Sequence, residues 1–287
     1  MKLVNFKNNG AIQLGIQTET GIIDVAKEAG VHALQAPLSM EAAMAGGPAA
    51  LAQLAAVAKA ATQVMREDAV LYAPCVANPG KIVCVGLNYK SHRDECKMEE
   101  PEYPVLFSKF NNALAAHKED ITLPTTAEKF DYEAELVIVI GKETTKISKE
   151  AALSHVFGYT AGNDLSARDL QLRTGQWLLG KSCDSFAPIG PCLVTADEID
   201  PNHLDIQCTV NGEVRQSANT GDMIFDCATI VSYVSQYMTL QPGDIIFSGT
   251  PSGVILGYPA EKQVWLQAGD EVAVTIEKIG TLKNILR

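Results

Sequence analysis

Apolar and polar positions alternate from the first residues of the chain. The segments MKLVNF, AIQLGIQT and GIIDVA carry a period of two and are separated by the turn signals Asn-Asn-Gly and Glu-Thr-Gly, which predicts a small antiparallel meander over the first 25 residues. From about residue 39 to 68 the pattern changes. SMEAAMAGGPAALAQLAAVAKAATQVMRED is alanine-rich with high helix propensity, interrupted only at Gly46-Gly47-Pro48. LYAPCVANPGK, with its two prolines, reads as a linker, so residues 1–70 form a small amino-terminal α+β module and residues 71–287 the main body. In the body, short apolar runs recur as KIVCVGL, ELVIVIG, HVFGYTAG, GPCLVT, LDIQCTVNG, GDIIFSGT and DEVAVTIEKIG, whereas helical periods are confined to SKEAALS, SARDLQLRTG and CATIVSYVSQYM. The expected fold class is α+β and mostly β, a sandwich or rolled sheet rather than a regular βαβ alternation. No internal repeat or low-complexity tract interrupts it.

One run breaks the ordinary pattern. In FDYEAELVIVIG, Asp131, Glu133 and Glu135 occupy every second position and lead directly into Leu136-Val137-Ile138-Val139-Ile140. On a strand, Glu133 and Glu135 share a face roughly 7 Å apart, at about 3.3 Å rise per residue. Their mutual repulsion is relieved by a bound cation or a shared proton, or by water if the strand end is exposed. A third acid, Asp164, stands where the strand-like VFGYTAGND breaks into the helix-like LSARDLQLR. Ser166 and Asp169 have the spacing of a capping box, which leaves Asp164 available for another task. Three carboxylates without histidine or thiol make a hard oxygen site suited to Mg²⁺, Mn²⁺ or Ca²⁺ rather than Zn²⁺.

Composition narrows the classes. The chain has 287 residues, 47% hydrophobic and 20% charged, and its net charge of −11, from 34 acids against 23 bases, comes without a basic run. That argues against a nucleic-acid or anionic-membrane surface. No apolar run reaches the 18 or so residues of a membrane span, and MKLVNFKNNG lacks a signal peptide's apolar segment, so a cytoplasmic location is expected. The seven cysteines include no C-x-x-C pair and are expected to be reduced thiols, several of them core filler.

Further polar positions have two readings each. His92 and Glu95, three apart in VGLNYKSHRDE, are neighbours on a helical turn, where Glu95 can hold one imidazole nitrogen and leave a general base, or where the two simply form a surface pair. Lys181 in LLGKSCDSFAPIGP and Thr250 in IFSGTPSGV sit among residues that also make turns.

Taken together, GLNYKSHRDE, DYEAELVIVIG, GYTAGNDLSARDLQ, GKSCDSFAPIGP, DMIFDCATIVSYVSQYMTLQPGDIIFSGTPSGV and GDEVAVTIEKIGTLKN stand in the order seen in the fumarylacetoacetate hydrolase family, which the chain resembles from about residue 70 to its end. The resemblance implies a mixed β-sandwich roll, a homodimer and one Mg²⁺ or Mn²⁺ per site. It carries the metal ligands onto Glu133, Glu135 and Asp164, the catalytic dyad onto His92 and Glu95, the catalytic lysine onto Lys181 and substrate contacts onto Arg168, Gln171 and Thr250. Asp131 matches no ligand and is left as a supporting or solvated acid.

The implied substrate is a small anionic 2-oxo or diketo acid. Hydrolysis of the carbon–carbon bond of an acylpyruvate or 2,4-diketo acid is the leading expectation, because a complete dyad is most needed where water is activated. Decarboxylation of oxaloacetate, or isomerisation of a 2-hydroxyhepta-2,4-diene-1,7-dioate, is the alternative on the same site. A dicarboxylate-binding protein without turnover would need neither His92 nor Lys181. The segment SHRDECKMEEPEYP, charge-dense and poor in large apolar residues, is expected to be a weakly anchored lid, and the selection of the substrate's distal end is assigned to the residues after Tyr89 and to the loop from Ile255 to Gln263.

Overall fold

The computed structural model describes residues 1–95, 99 and 101–287. The predicted runs become two sheets. The larger has eleven strands, and its main path runs Gly21–Asp24, Ala11–Thr18, Lys2–Asn8, Ala187–Thr195, Val156–Asn163, Ala134–Ile140, Ile245–Phe247, Ile82–Gly86 and Val105–Lys109. The smaller has five strands, in the order Glu213–Asn219, Asp205–Val210, Glu271–Ile276, Gly280–Leu286 and Asp120–Ile121. Nearly all pairings are antiparallel. Ile245–Phe247 runs parallel to Ile82–Gly86, which places the ends of these two strands, and the loops that follow them, on the same rim. This mixed α+β arrangement is the expected class. The amino-terminal meander continues the main sheet, with Lys2 opposite Val194 and Leu3 opposite Leu193.

The apolar run at 136–140 is continuous because both of its faces are covered. Leu136, Ile138 and Ile140 belong to the core that contains Ile206, Cys208 and Val274 of the smaller sheet, whereas Val137 and Val139 belong to a second core with Met44, Leu54 and Val57 of the helix Met40–Ala60. A strand buried on both sides loses the alternation that an exposed face would impose. The amino-terminal helix therefore acts as a cover for the sheet that carries the acids. It is capped by Ser39, whose hydroxyl accepts from Ala42 N, and it breaks at the expected place, with Gly47 at φ 53° before Pro48.

The stretch after Asp164 departs from expectation. Only Arg168–Gln171 is helical, and Ser166–Ala167 instead pairs with Phe130–Asp131 as a short ribbon. The capping box does not form: Ser166 Oγ donates to the Asp164 carbonyl, and Asp169 accepts from Glu128 N. Tertiary pairing has taken the capping residue out of the helix. Among the described residues no helix is long and apolar enough to cross a membrane. The described cysteines are unpaired thiols, five of them buried and Cys183 half-buried, while Cys96 lies outside the described residues.

Candidate active site

Glu135 lies on Ala134–Ile140, Asp164 directly follows Val156–Asn163, and Glu133 sits just before its strand, outside regular structure. The acids are nevertheless brought together. Glu133 N donates to Asn163 Oδ1 and Asp164 N to the Glu133 carbonyl, so the two strand ends fix each other at 2.9 Å in both bonds. All three carboxylates are buried, and one oxygen from each lies within 4.8 Å of the others.

Bases from three other elements face this ring. Lys181, closing the short helix Leu178–Lys181, spans Glu133 Oε2 at 2.7 Å and Asp164 Oδ2 at 2.9 Å. Arg168 donates from Nη2 to Glu133 Oε1 at 2.7 Å, from Nη1 to Gln171 Oε1 at 2.9 Å and from Nε to Asp131 Oδ2 at 2.9 Å. Lys181 reaches this position because the residue before it is glycine. A Cβ at Gly180 would lie 2.4 Å from both the Ala167 carbonyl and Gln171 N, so only glycine lets the two short helices meet.

The charges do not balance. Burial disfavours the Glu133 carboxylate, but Lys181 and Arg168 outweigh it and hold the carboxyl well below the usual range. Glu135 has the opposite fate: burial, then Asp164 and Glu133, push its carboxyl well above the usual range, against one strong hydrogen bond of 2.6 Å from Gly249 N. Burial works against the Lys181 ammonium as well, yet Asp164 and Glu133 leave its pKa raised. Asp164 Oδ1 lies 2.6 Å from Lys109 Nζ, but the Lys109 protons are directed at the carbonyls of Leu165, Lys181 and Phe186, at 2.9, 2.5 and 2.8 Å. That oxygen therefore accepts no hydrogen bond. Three converging buried carboxylates, with Asp164 Oδ1 met by the Lys109 charge alone and Glu135 disfavoured as the anion, make an all-oxygen donor set that fits Mg²⁺, Mn²⁺ or Ca²⁺.

His92 and Glu95 lie on the six-residue helix Lys90–Glu95, with Nδ1 and Oε1 2.7 Å apart. The other Glu95 oxygen accepts from Gly253 N at 3.0 Å, so the loop after Ile245–Phe247 holds the dyad. The same loop carries Thr250, whose hydroxyl accepts from Gln216 Nε2 at 2.8 Å, while Gln216 Oε1 accepts from Ala134 N. His92, Glu133, Glu135, Arg168, Gln171, Lys181 and Thr250 line one cavity of about 140 Å³, completed by Leu87, Phe107, Leu172, Trp177 and Leu256. Glu95 and Asp164 stand behind that lining, each bonded to a residue in it.

Sequence reasoning missed two members of this assembly. Lys109 is fully buried and ties Asp164 to the backbone of Lys181; its only signal was a single charge in the apolar YPVLFSKF. Gln216 comes from the smaller sheet and left no signal. The expected lid, residues 91–104, falls partly on positions outside the described residues; around it, Asn88 is buried and donates to the carbonyls of Phe225 and Ser248, Tyr89 is buried, and Tyr103 stacks on Tyr233 at 6.2 Å. Cys96, Lys97, Met98 and Glu100, the middle of that segment, lie outside the described residues.

Comparison with known proteins places this geometry among characterised relatives. The family profile described as fumarylacetoacetate (FAA) hydrolase C-terminal matches residues 81–287. The chain is 39% identical over 294 residues to the human protein named oxaloacetate tautomerase FAHD2A, mitochondrial, covering 99% of this chain and 91% of that one. Its fold matches the fumarylacetoacetate hydrolase of psychrophilic Exiguobacterium antarcticum with a TM-score of 0.84 at 34% identity, over 100% and 99% of the two chains. It also matches maleylpyruvate hydrolase from Sphingobium sp. SYK-6, solved in complex with manganese(II) and pyruvate, with a TM-score of 0.82 at 28% identity over 100% and 98%.

Proposed function

The chain belongs to the fumarylacetoacetate hydrolase family, and from that premise we propose that it is a divalent-metal-dependent tautomerase of a small 2-oxo dicarboxylate, with oxaloacetate as the substrate. The observation that carries this reading is the cavity itself: about 140 Å³, walled by Leu87, Phe107, Trp177 and Leu256, with Lys181 and Arg168 at its polar end. A compact dianion suits that space better than an extended diene dioate. The match to an oxaloacetate tautomerase along nearly the whole chain supports the same choice. Hydrolysis, first on sequence grounds, becomes the second reading. It is favoured by the complete His92–Glu95 dyad and by the likeness to maleylpyruvate hydrolase.

In either reading Glu133, Glu135 and Asp164 would hold Mg²⁺ or Mn²⁺, which supplies Lewis-acid polarisation of the substrate's oxo group. Arg168 and Lys181 bind and orient the anionic end of the substrate. The Glu95 carboxylate accepts from His92 Nδ1 and sets the imidazole's orientation and basicity, so His92 takes the proton from the carbon beside the oxo group. Returning that proton to the oxygen gives the enol, and the reverse transfer gives the ketone, with no bond between carbons broken. In hydrolysis the same imidazole would draw its proton from water.

The deciding assay follows enol absorbance and pyruvate release together. The expected result is metal-dependent acceleration of keto–enol exchange of oxaloacetate, abolished by EDTA and restored by Mn²⁺, with little pyruvate formed. Faster pyruvate release from an acylpyruvate than exchange of oxaloacetate would put hydrolysis first, and rapid pyruvate release from oxaloacetate would indicate decarboxylation. We also propose a homodimer. The edge strand Val105–Lys109 ends at the exposed Phe110, with exposed Met238 in the same groove and exposed Leu179 nearby on the helix that packs against the strand, and light scattering that gives a monomer mass would refute it.

A further inference from the structure

Asp131 has no part in the chemistry described so far, yet it is fully buried and both of its oxygens are saturated. Oδ1 accepts from Tyr132 N at 2.9 Å and Ile255 N at 2.8 Å; Oδ2 accepts from Arg168 Nε at 2.9 Å and Leu256 N at 3.0 Å. With two strong donors on each oxygen, it offers no lone pair to a cation and no site for a substrate proton. Its donors come from two separate parts of the cavity. One is the guanidinium at the polar end; the other is the turn Ile255–Gly257, whose Leu256 forms part of the apolar wall. Arg168 Nε and Leu256 N share a single oxygen, so neither can move away without disturbing the other.

We infer that Asp131 is a positioning residue that locks Arg168 and the Leu256 wall into one unit, thereby setting the fit and affinity of the anionic substrate rather than the rate of proton transfer. A carboxylate is required because four donors converge on it. An amide of the same size would turn an N–H₂ group toward two of them. The role accounts for the third acid of the D-x-E-x-E alternation: Glu133 and Glu135 face the cation site, while Asp131 faces the loop that closes over it. It rests on the proposed reading only in taking this cavity as the substrate site.

The test is Asp131→Asn with three measurements. With hydrogen bonds to a charged group lost, amide exchange at Ile255 and Leu256 is expected to accelerate by about tenfold or more. KM for whichever substrate the wild type turns over is expected to rise by a similar factor, with kcat held within about threefold. Mn²⁺ affinity by calorimetry is expected to stay within about threefold, the ligands being untouched. Unchanged exchange and unchanged KM would overturn the inference, as would a fall in kcat at constant KM or a parallel loss of Mn²⁺ affinity. Should the asparagine variant fail to fold, Ile255→Pro removes one donor at the first position of the turn, a site that accepts proline after the extended Val254 at ψ 152°. It should raise KM and speed exchange at Leu256, and no change in either measurement would overturn the inference. Exchange is read without substrate, so failure of the tautomerase reading leaves this test intact.

Discussion

The carboxylate ring and the His92–Glu95 dyad open into one cavity but are built differently. The ring is fastened to two neighbouring strands of the main sheet, its acids buried and its oxygens bridged by Lys181, Arg168 and the Gly249 amide. The dyad rides on a six-residue helix that meets one loop, where Glu95 accepts from Gly253 N and Ser91 Oγ from Ser252 N. A site held by strand pairing and several ion pairs is over-determined, and one lost bond leaves the others in place. A short helix set against one loop has less of this redundancy. On the proposed reading, the half that would hold the cation should therefore tolerate changes at Gly253, whereas the half that would move the proton should not.

The largest effect is expected where the ring itself is cut. Glu133→Gln or Asp164→Asn removes one of the three proposed anionic ligands and leaves Lys181 partly unpaired. Mn²⁺ affinity should fall by at least the 10–100-fold typical of losing even an outer-shell partner, and turnover should fall with it. Calorimetry showing full Mn²⁺ binding in both variants would remove the ligand assignment. His92→Ala comes next, with a turnover loss of about 10²–10⁴-fold, the usual contribution of a positioned base. Mn²⁺ binding should be retained, and its loss would mean that the two halves are not separable.

Gly253→Ala addresses the loop directly. Gly253 has φ +102°, and an added Cβ would lie 2.2 Å from the Arg215 carbonyl. A strain of about 1–3 kcal/mol is expected, seen as a lower melting temperature and slower turnover, with cation affinity kept. Equal loss of cation affinity would erase the contrast between the halves. The smallest effect concerns protons. Because the folded Glu135 carboxyl lies above its unfolded range, proton binding stabilises the metal-free fold at low pH, and this contribution is lost as the pH rises through the raised value. Cation binding must then expel that proton. Calorimetry over a pH series in two buffers of different ionisation enthalpy should show proton release that shrinks as the pH rises, with affinity rising with pH; no release at any pH would mean that Glu135 is ionised before the cation arrives.

Much of this was legible because its signals are local. The period-two runs became strands close to where they were expected, and the break at Gly46-Gly47-Pro48 kinks the helix as its chemistry demands. The acids were noticed for a local reason as well, since alternation followed by an unbroken apolar run is rare in a half-exposed strand. The failures were all failures of locality. Ser166 has the spacing of a cap, but pairing with Phe130–Asp131 removed it from the helix. Lys109 and Gln216 were missed because their partners lie far along the chain, at Leu165, Lys181 and Phe186 for the one and at Ala134 for the other.

The sequence by itself determined which elements form and which residue types are available, because periodicity, turn chemistry and propensity act between near neighbours in the chain. It placed acids in DYEAE and at Asp164, bases at Lys181 and Arg168 and a histidine three residues before an acid. Only the tertiary structure decided what those groups are to one another. Packing on both faces of Ala134–Ile140 took the acids out of water, and strand pairing set Glu133 against Asp164. The resulting low-dielectric enclosure gave identical carboxyls opposite fates, Glu133 held ionised by its cations and Glu135 pushed toward its proton. Those fates depend on distances between groups up to 114 residues apart in the chain, as between Glu135 and Gly249, and no spacing along the sequence encodes such distances.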